Sequence, residues 1–240
     1  MDDRHLLVSD LDGTLLGDEA ALARFRRWFA ASRASWRLAY ATGRTFESVA
    51  ELIREGRLPR PDAIISSVGT AIHDPAGDPW PAWAIGADRW DSSAVHAQLR
   101  AAGMTRQAPE AQSPVKASYS AADLSDEDLD GIRRLLRAAG IVATVVYSSA
   151  RDLDILPADA GKGLAVRHIA RTWDLPGDRV IACGDSGNDL DLLTSGFRGV
   201  VVANAQPEVR RLSGPDVFHS AMSYADGVLD GIRHWSAIAA

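Results

Sequence analysis

At both ends of this chain, short apolar runs alternate with helical stripes of apolar residues, and a differently patterned stretch lies between. In the first part, His5–Ser9, Trp36–Ala41 and residues 63–68 are apolar runs of strand length bounded by polar turns. Between them Leu22, Phe25 and Phe29 recur at helical spacing, and Thr45 can cap a helix bearing Phe46, Val49 and Ile53. Strand–helix–strand–helix–strand specifies a parallel sheet covered by helices, because parallel neighbours need a crossover that a helix supplies. The pattern returns late in the chain. Leu164, Ile169, Ala170 and Trp173 mark a helix, 179–183 a buried strand, 189–193 a short helix and 199–203 another strand, and Pro207 opens a helix over 207–213.

The middle stretch reads differently. Residues 74–81, rich in Pro, Gly and Asp, predict a hairpin or linker, 93–102 a modest helix, and 115–120 a half-exposed strand. Ser125 and Asp128 fit a capping box ahead of the stripe Leu129, Ile132, Leu135 and Leu136, which Gly140 stops. Residues 141–148 and 152–156 predict two more strands. The expected fold class is therefore α/β, a Rossmann-like parallel-sheet core over 1–83 and 158–240 interrupted by an α+β insert over 84–157 with an antiparallel sheet.

Composition removes several function classes. The 240 residues are 46% hydrophobic and 24% charged, an ordinary globular balance. Lys and Arg number 26 against 32 Asp and Glu, and the resulting −6 charge with no basic run leaves no footprint for nucleic acid. No apolar stretch nears the ~18–20 residues of a spanning helix, so no membrane partner is expected. Asp2 and Asp3 stand where a signal peptide carries bases, and the lone Cys183 has no internal disulfide partner, so a cytoplasmic location is expected. The six histidines show no ligand spacing, and Trp80, Trp83 and Trp90 are read as hinge packing ahead of sugar stacking.

Asp10 and Asp12 follow the first apolar run and, two apart in an extended segment, point to one side. Open α/β sheets hold ligands outside the carboxyl ends of their strands, and Gly13 permits a sharp turn that aims backbone amides at an anion. Taken alone, Asp-x-Asp-Gly also describes an Asx-type turn with solvated acids. A calcium loop from Asp10 would need Gly and Glu where Leu15 and Ala21 stand, and a P-loop around Gly161-Lys162 would need Ser or Thr where Gly163 stands. Gly184-Asp185-Ser186-Gly187-Asn188-Asp189 is a second acidic loop after an apolar strand. Several carboxylates at one crevice repel unless a cation or protons neutralise them, and an all-oxygen set favours Mg²⁺ over softer metals. Thr42 offers a small neutral phosphate ligand, and Lys162, at the end of a helix where the dipole disfavours cations, implies pairing with Asp10 or a phosphate.

Together, Asp10-Leu11-Asp12-Gly13-Thr14-Leu15, Thr42-Gly43-Arg44, Lys162 and Gly184-Asp185-Ser186-Gly187-Asn188-Asp189 resemble the four motifs of the haloacid dehalogenase-type phosphatases, in the right order. The long insert resembles the type IIB cap of that superfamily. The resemblance implies Asp10 as nucleophile, Asp12 as general acid and then base, and Thr42 and Lys162 on the phosphoryl oxygens. It also implies Mg²⁺ held by Asp10, the Asp12 carbonyl and Asp185, with Asp189 nearby and Asn188 orienting phosphate or Asp10. Ser67-Val68-Gly69-Thr70, Lys116, Asp152-Leu153-Asp154-Ile155-Leu156-Pro157 and Asn204-Ala205-Gln206-Pro207-Glu208 narrow the likeness to sucrose-phosphate phosphatases and their bacterial relatives, among them mannosylfructose-phosphate phosphatases. That likeness nominates Gln112, Lys116, Asp152 and Asp154 from the insert, and Gly43, Arg44 and Asn204 from the core, as sugar-phosphate contacts. It implies an Mg²⁺-dependent phosphatase of a disaccharide phosphate working through an aspartyl-phosphate, paired functionally with a glycosyltransferase. A sugar phosphomutase shares the fold and the intermediate, and a non-catalytic sugar-phosphate sensor would need neither Asp12 nor crowded carboxylates.

Overall fold

The apolar run that heads the chain becomes the middle of the main sheet. The computed structural model describes residues 4–83, 85 and 90–238. In chain order, β1 (His5–Ser9), α1 (Glu19–Ser32), β2 (Trp36–Ala41), α2 (Phe46–Arg54), β3 (Ala63–Ser66) and β4 (Ala71–His73) come first. Next are α3 (Ser92–Ala101), β5 (Thr105–Arg106), β6 (Ala117–Ser120), α4 (Asp126–Ala138), β7 (Ala143–Ser148) and β8 (Asp152–Pro157). The chain ends with α5 (Lys162–Thr172), β9 (Val180–Gly184), α6 (Leu190–Leu193), β10 (Arg198–Val201), α7 (Pro207–Arg210), β11 (Val217–His219) and α8 (Tyr224–Ile238).

The main sheet has the order β11-β10-β9-β1-β2-β3-β4, parallel except for the edge pairing of β3 with β4. From β1 the chain winds outward through β2 and β3, leaves, and returns to wind the other way through β9, β10 and β11. The winding direction therefore reverses between β1 and β9, where open α/β sheets leave a crevice at the carboxyl ends of their strands. β1 shows why both faces are covered. Leu7 packs with Phe25, Val49 and Val228 from α1, α2 and α8, whereas Leu6 and Val8 pack with Ala165, Val166 and Ile169 from α5.

The second sheet, β5-β6-β8-β7, is antiparallel throughout. Tyr119, Leu153 and Ile155 face Val95, Leu99, Leu129 and Ile132 of α3 and α4 in a separate apolar core. The opposite face carries Ser118 and Asp154 in register, and Val146 beside Asp154 packs against the cluster of Val68, Ile85, Leu156 and Ala160 that joins the two units. The polar face of this sheet thus looks toward the main one. The expected start of the insert at residue 84 lies outside the described residues, as do Asp2 and Asp3.

The anticipated caps are present: the Ser125 hydroxyl and Asp128 carboxylate bond reciprocally at α4, and Thr45 accepts from the Ser48 amide at α2. Other expectations are corrected. Residues 63–68 do not run as one strand; β3 ends at Ser66, and Ser67 and Val68 turn with positive φ into β4. β11 and α8 lie where no element was anticipated. The helical stripe of α8, Val228, Ile232 and Trp235, is broken by Gly227 and Gly231, but those glycines let the helix press onto Val202 and Val200. Trp80 and Trp83 pack edgewise or tilted on Trp173 and His168 of the main unit, and Trp90 packs against the core of the second sheet. Among the described residues no helix is long and apolar enough to cross a membrane.

Phe25 is fully buried, with its ring 6.2 Å from that of Phe29. Phe25→Ala is expected to lower the unfolding free energy by about 3–5 kcal/mol in a urea titration, through lost burial and a residual cavity. A loss below about 1 kcal/mol would mean that α1 contributes little to the main core.

Candidate active site

Three neighbouring strands, β9, β1 and β2, deliver the polar loops. β1 ends at Ser9, so Asp10 projects from its carboxyl end, its amide bonded to the Cys183 carbonyl of β9 at 3.0 Å. β9 ends at Gly184 and delivers Asp185, and β2 ends at Ala41 and delivers Thr42. The positive φ of Gly13 lets the chain turn back beside Asp185, where any Cβ would overlap that carboxylate. Lys162 arrives from the start of α5 and is wholly buried.

The ammonium of Lys162 donates to Asp10 Oδ1 at 2.8 Å, Asn188 Oδ1 at 2.6 Å and Asp189 Oδ1 at 2.7 Å, which matches its three protons. Asp189 turns its other oxygen to the amides of Asp185 and Ser186 at 3.0 and 3.2 Å. Asp185 accepts from the Thr14 hydroxyl at 2.7 Å, a partner that sequence reading missed although Thr14 directly follows Asp-x-Asp-Gly. Asp10, Asp185 and Asp189 each offer a carboxylate oxygen, all within 4.8 Å of one another. A buried set of hard oxygen donors at that spacing suits a divalent cation.

Charge crowding shows in the acids. Burial pushes Asp10 well above the usual carboxylate range, with Lys162 opposing and the charges of Asp189 and Asp185 adding. Burial, reinforced by Asp189, raises Asp185 to about 7, while Thr14 and Lys162 pull the other way. Burial works to strip the Lys162 proton, but Asp10 and Asp189 prevail and hold it above its ordinary value.

Asp12 lies apart from this cluster. Its carboxylate takes both ends of the Arg44 guanidinium, Nε and Nη2, each at 2.6 Å, and Arg44 also donates to the Ser48 hydroxyl at 3.0 Å. The carboxylates brought together are those of Asp10, Asp185 and Asp189, while the Asp12 side chain, whose expected contribution to a metal is its backbone carbonyl, is turned to Arg44. Thr42 is buried and its hydroxyl accepts from the Arg44 amide at 3.2 Å, while Gly43 lies beside the Asn188 carboxamide.

The sugar-contact expectations divide. Lys116 and Asp154 are buried on the inward face of the second sheet, 3.5 Å apart, with the Ser118 hydroxyl donating to Asp154. Asp152, further along the same face, is held by Gln107 and Arg151. Gln112 is committed to backbone: its oxygen accepts from the Ser118 amide and its nitrogen donates to the carbonyls of Ser118 and Gln107. Asn204 likewise bonds the Gly13 carbonyl at 2.6 Å and the Tyr224 amide at 2.9 Å, fastening the loop after β1 to α8. Gln112 and Asn204 therefore brace loops here, Gln112 spending both amide protons on carbonyls and Asn204 one of its two. The two units meet at Gly187, where a Cβ would run into the Tyr147 carbonyl of β7.

The fold and the placement of its acids define a haloacid dehalogenase-like hydrolase. The structure of the sucrose-phosphatase from Synechocystis sp. PCC6803, in complex with sucrose and phosphate, superposes with a TM-score of 0.91 at 32% identity, over 98% of this chain and 99% of that one. The model of the sucrose-6F-phosphate phosphohydrolase family matches residues 3–236, and the chain belongs to that family. It is 38% identical over 241 residues to the mannosylfructose-phosphate phosphatase of Agrobacterium fabrum, covering 96% of each chain. It is 33% identical over 252 residues to sucrose-phosphatase 1 of Nicotiana tabacum, of whose length it spans 59%.

The raised Asp185 fixes the sign of a pH effect. Its ordinary value is about 3.9, so the folded state binds the extra proton and its contribution to stability falls as pH climbs from about 4 through about 7. A divalent cation should relieve that penalty, so Mg²⁺ is expected to raise Tm more at pH 8 than at pH 5.5 in paired thermal scans. Equal gains at both pH values would count against a cation among these acids.

Proposed function

We propose that the protein is a Mg²⁺-dependent phosphatase of a disaccharide phosphate, of the mannosylfructose or sucrose phosphate kind. The observation that carries this reading is the convergence of Asp10 and Asp189 on one buried ammonium, with the Asp185 carboxylate within 4.8 Å of both, at the strand ends where the sheet reverses its winding. The names of the relatives support the substrate class.

In this reading an Asp10 oxygen attacks phosphorus, the bond from phosphorus to the sugar oxygen breaks, and Asp12 delivers a proton to the departing alkoxide. Asp12 then takes a proton from water as it attacks the aspartyl-phosphate, releasing phosphate and restoring Asp10. Proton delivery requires an Asp12 oxygen free of Arg44, so the guanidinium shifts toward the incoming phosphoryl group. Lys162 and Thr42, with the amides beside Gly43, hold phosphoryl oxygens, and Asn188 keeps Lys162 and Asp10 aligned. A divalent cation would be held by Asp10, Asp185 and the Asp12 carbonyl, with Asp189 nearby, and supplies charge that offsets the phosphoryl dianion.

Residues 1–83 and 158–240 form the catalytic core in this reading, and 84–157 the cap. Lys116, Asp154 and Asp152 on the inward face of the cap sheet are the sugar contacts it retains, since carboxylates and ammonium groups suit vicinal hydroxyls. A glycosyltransferase that joins a sugar to a sugar phosphate is the class of enzyme that supplies such a substrate. The sole, buried Cys183 accords with a cytoplasmic setting.

A phosphate-release assay across sucrose, mannosylfructose, trehalose and hexose phosphates tests the reading. Turnover should need Mg²⁺, stop with chelator and be greatest on a fructose-containing disaccharide phosphate. Asp10→Asn should lower kcat by at least about a thousandfold with an unchanged circular dichroism spectrum. Faster hydrolysis of hexose monophosphates would overturn the substrate class, and an active Asp10→Asn enzyme would overturn the mechanism.

A further inference from the structure

The turn joining β3 to β4 has a residue that the hairpin alone does not call for. Ser67, Val68 and Gly69 all have positive φ, at 50°, 59° and 86°. Asn or Gly suits such positions, and a β-branched side chain is the least suited to them. Among the described non-glycine residues with positive φ, Val68 is the β-branched one. Its side chain is nevertheless almost entirely buried, so the strained backbone serves to place it.

What it touches lies on both sides of the site. The Val68 amide donates to the Thr42 carbonyl at 3.0 Å and the Ser67 amide to the Arg44 carbonyl at 2.8 Å, fastening the loop after β2 from behind. Val68 Cγ2 lies 3.9 Å from the place a Cβ on Gly43 would take. Gly69 presses so closely on the backbone of Gly161 and Lys162 that no side chain fits there. On its other side Val68 packs with Ile85, Leu156 and Ala160, which lie where the chain leaves for the second sheet and returns from it.

We propose that Val68 is a positioning residue for phosphate binding: it wedges the Thr42–Gly43–Arg44 loop into place and ties that loop to the roots of the inserted unit. The proposal rests on the reading of that loop as a phosphate ligand. A hairpin needs only the backbone turn, whereas this role needs the isopropyl group.

The test is calorimetric binding of inorganic phosphate to the full chain with Mg²⁺, together with kcat and KM on the best sugar phosphate. Val68→Ala is expected to weaken phosphate binding at least fivefold and to raise KM more than it lowers kcat. Val68→Thr, which preserves the branched shape, should bind within twofold of wild type. Leu156→Ala, on the far side of the contact, should weaken phosphate binding in the same direction, and it decides the matter if Val68→Ala does not fold. Val95→Ala, in the separate core of α3 and α4, should lower Tm without moving phosphate affinity. Val68→Ala binding phosphate within twofold of wild type would overturn the proposal, as would Val95→Ala weakening it equally. A wild-type protein that binds phosphate but releases none from sugar phosphates would sink the proposed activity and leave Val68 judged by binding. One that binds no phosphate would sink both.

Discussion

A single buried ammonium group holds together carboxylates that would otherwise drive the site apart. Asp10, Asp185 and Asp189 approach within 4.8 Å in a region from which water is largely excluded. Each pair at that spacing repels by about 3 kcal/mol at an effective dielectric near 20. Lys162 answers two of the three directly and spends its last proton on Asn188, while Thr14 and the amides of Asp185 and Ser186 satisfy the remaining oxygens. Burial, with the neighbouring carboxylates adding to it, still raises Asp10 and Asp185 above the usual carboxylate range. A site left with surplus negative charge is matched to a divalent cation and, through it, to a phosphate dianion.

The sheet makes that crowding achievable. β9, β1 and β2 are parallel neighbours, so the loops that follow them emerge side by side from one edge. Lys162 is the first residue of α5, the helix that precedes β9, so its ammonium reaches the same loops from the start of a helix that packs on the sheet face. Close backbone approaches then lock the loops together: Gly13 against Asp185, Gly69 against Gly161, Gly187 against Tyr147. Each contact leaves no room for a side chain, which gives these glycines a reason to be where they are. The last also places the acidic loop directly against the second sheet.

Much of this was legible along the chain. The alternation of strand and helix predicted the parallel core, and Ser125, Asp128 and Thr45 predicted their caps, because both signals depend on neighbours a few residues apart. The strand-terminal acids stood out because each interrupts an apolar run. Less was legible where long-range packing governs. The interior glycines of α8 weaken its helical signal, yet they are what lets the helix lie against Val200 and Val202. Residues 63–68 look like one continuous strand, and only the anchoring of Ser67 and Val68 to Arg44 and Thr42 explains the turn.

Gln112 and Asn204 draw the boundary most clearly. A carboxamide binds a sugar hydroxyl and a backbone carbonyl equally well, so residue type leaves its partner open, and the folded chain settles it on backbone at both positions. The same holds for Asp12, whose pairing with Arg44 joins residues from two different strand ends. Local order along the chain is enough to choose the α/β class, the two kinds of sheet and the acids at the strand ends, since periodicity and capping act over short range. Which carboxylates share the lysine, which polar groups are left free, and what the buried valine of the β3–β4 turn touches depend on contacts between segments far apart in sequence. Those contacts exist only once the sheet has wound both ways and brought its loops to a common edge.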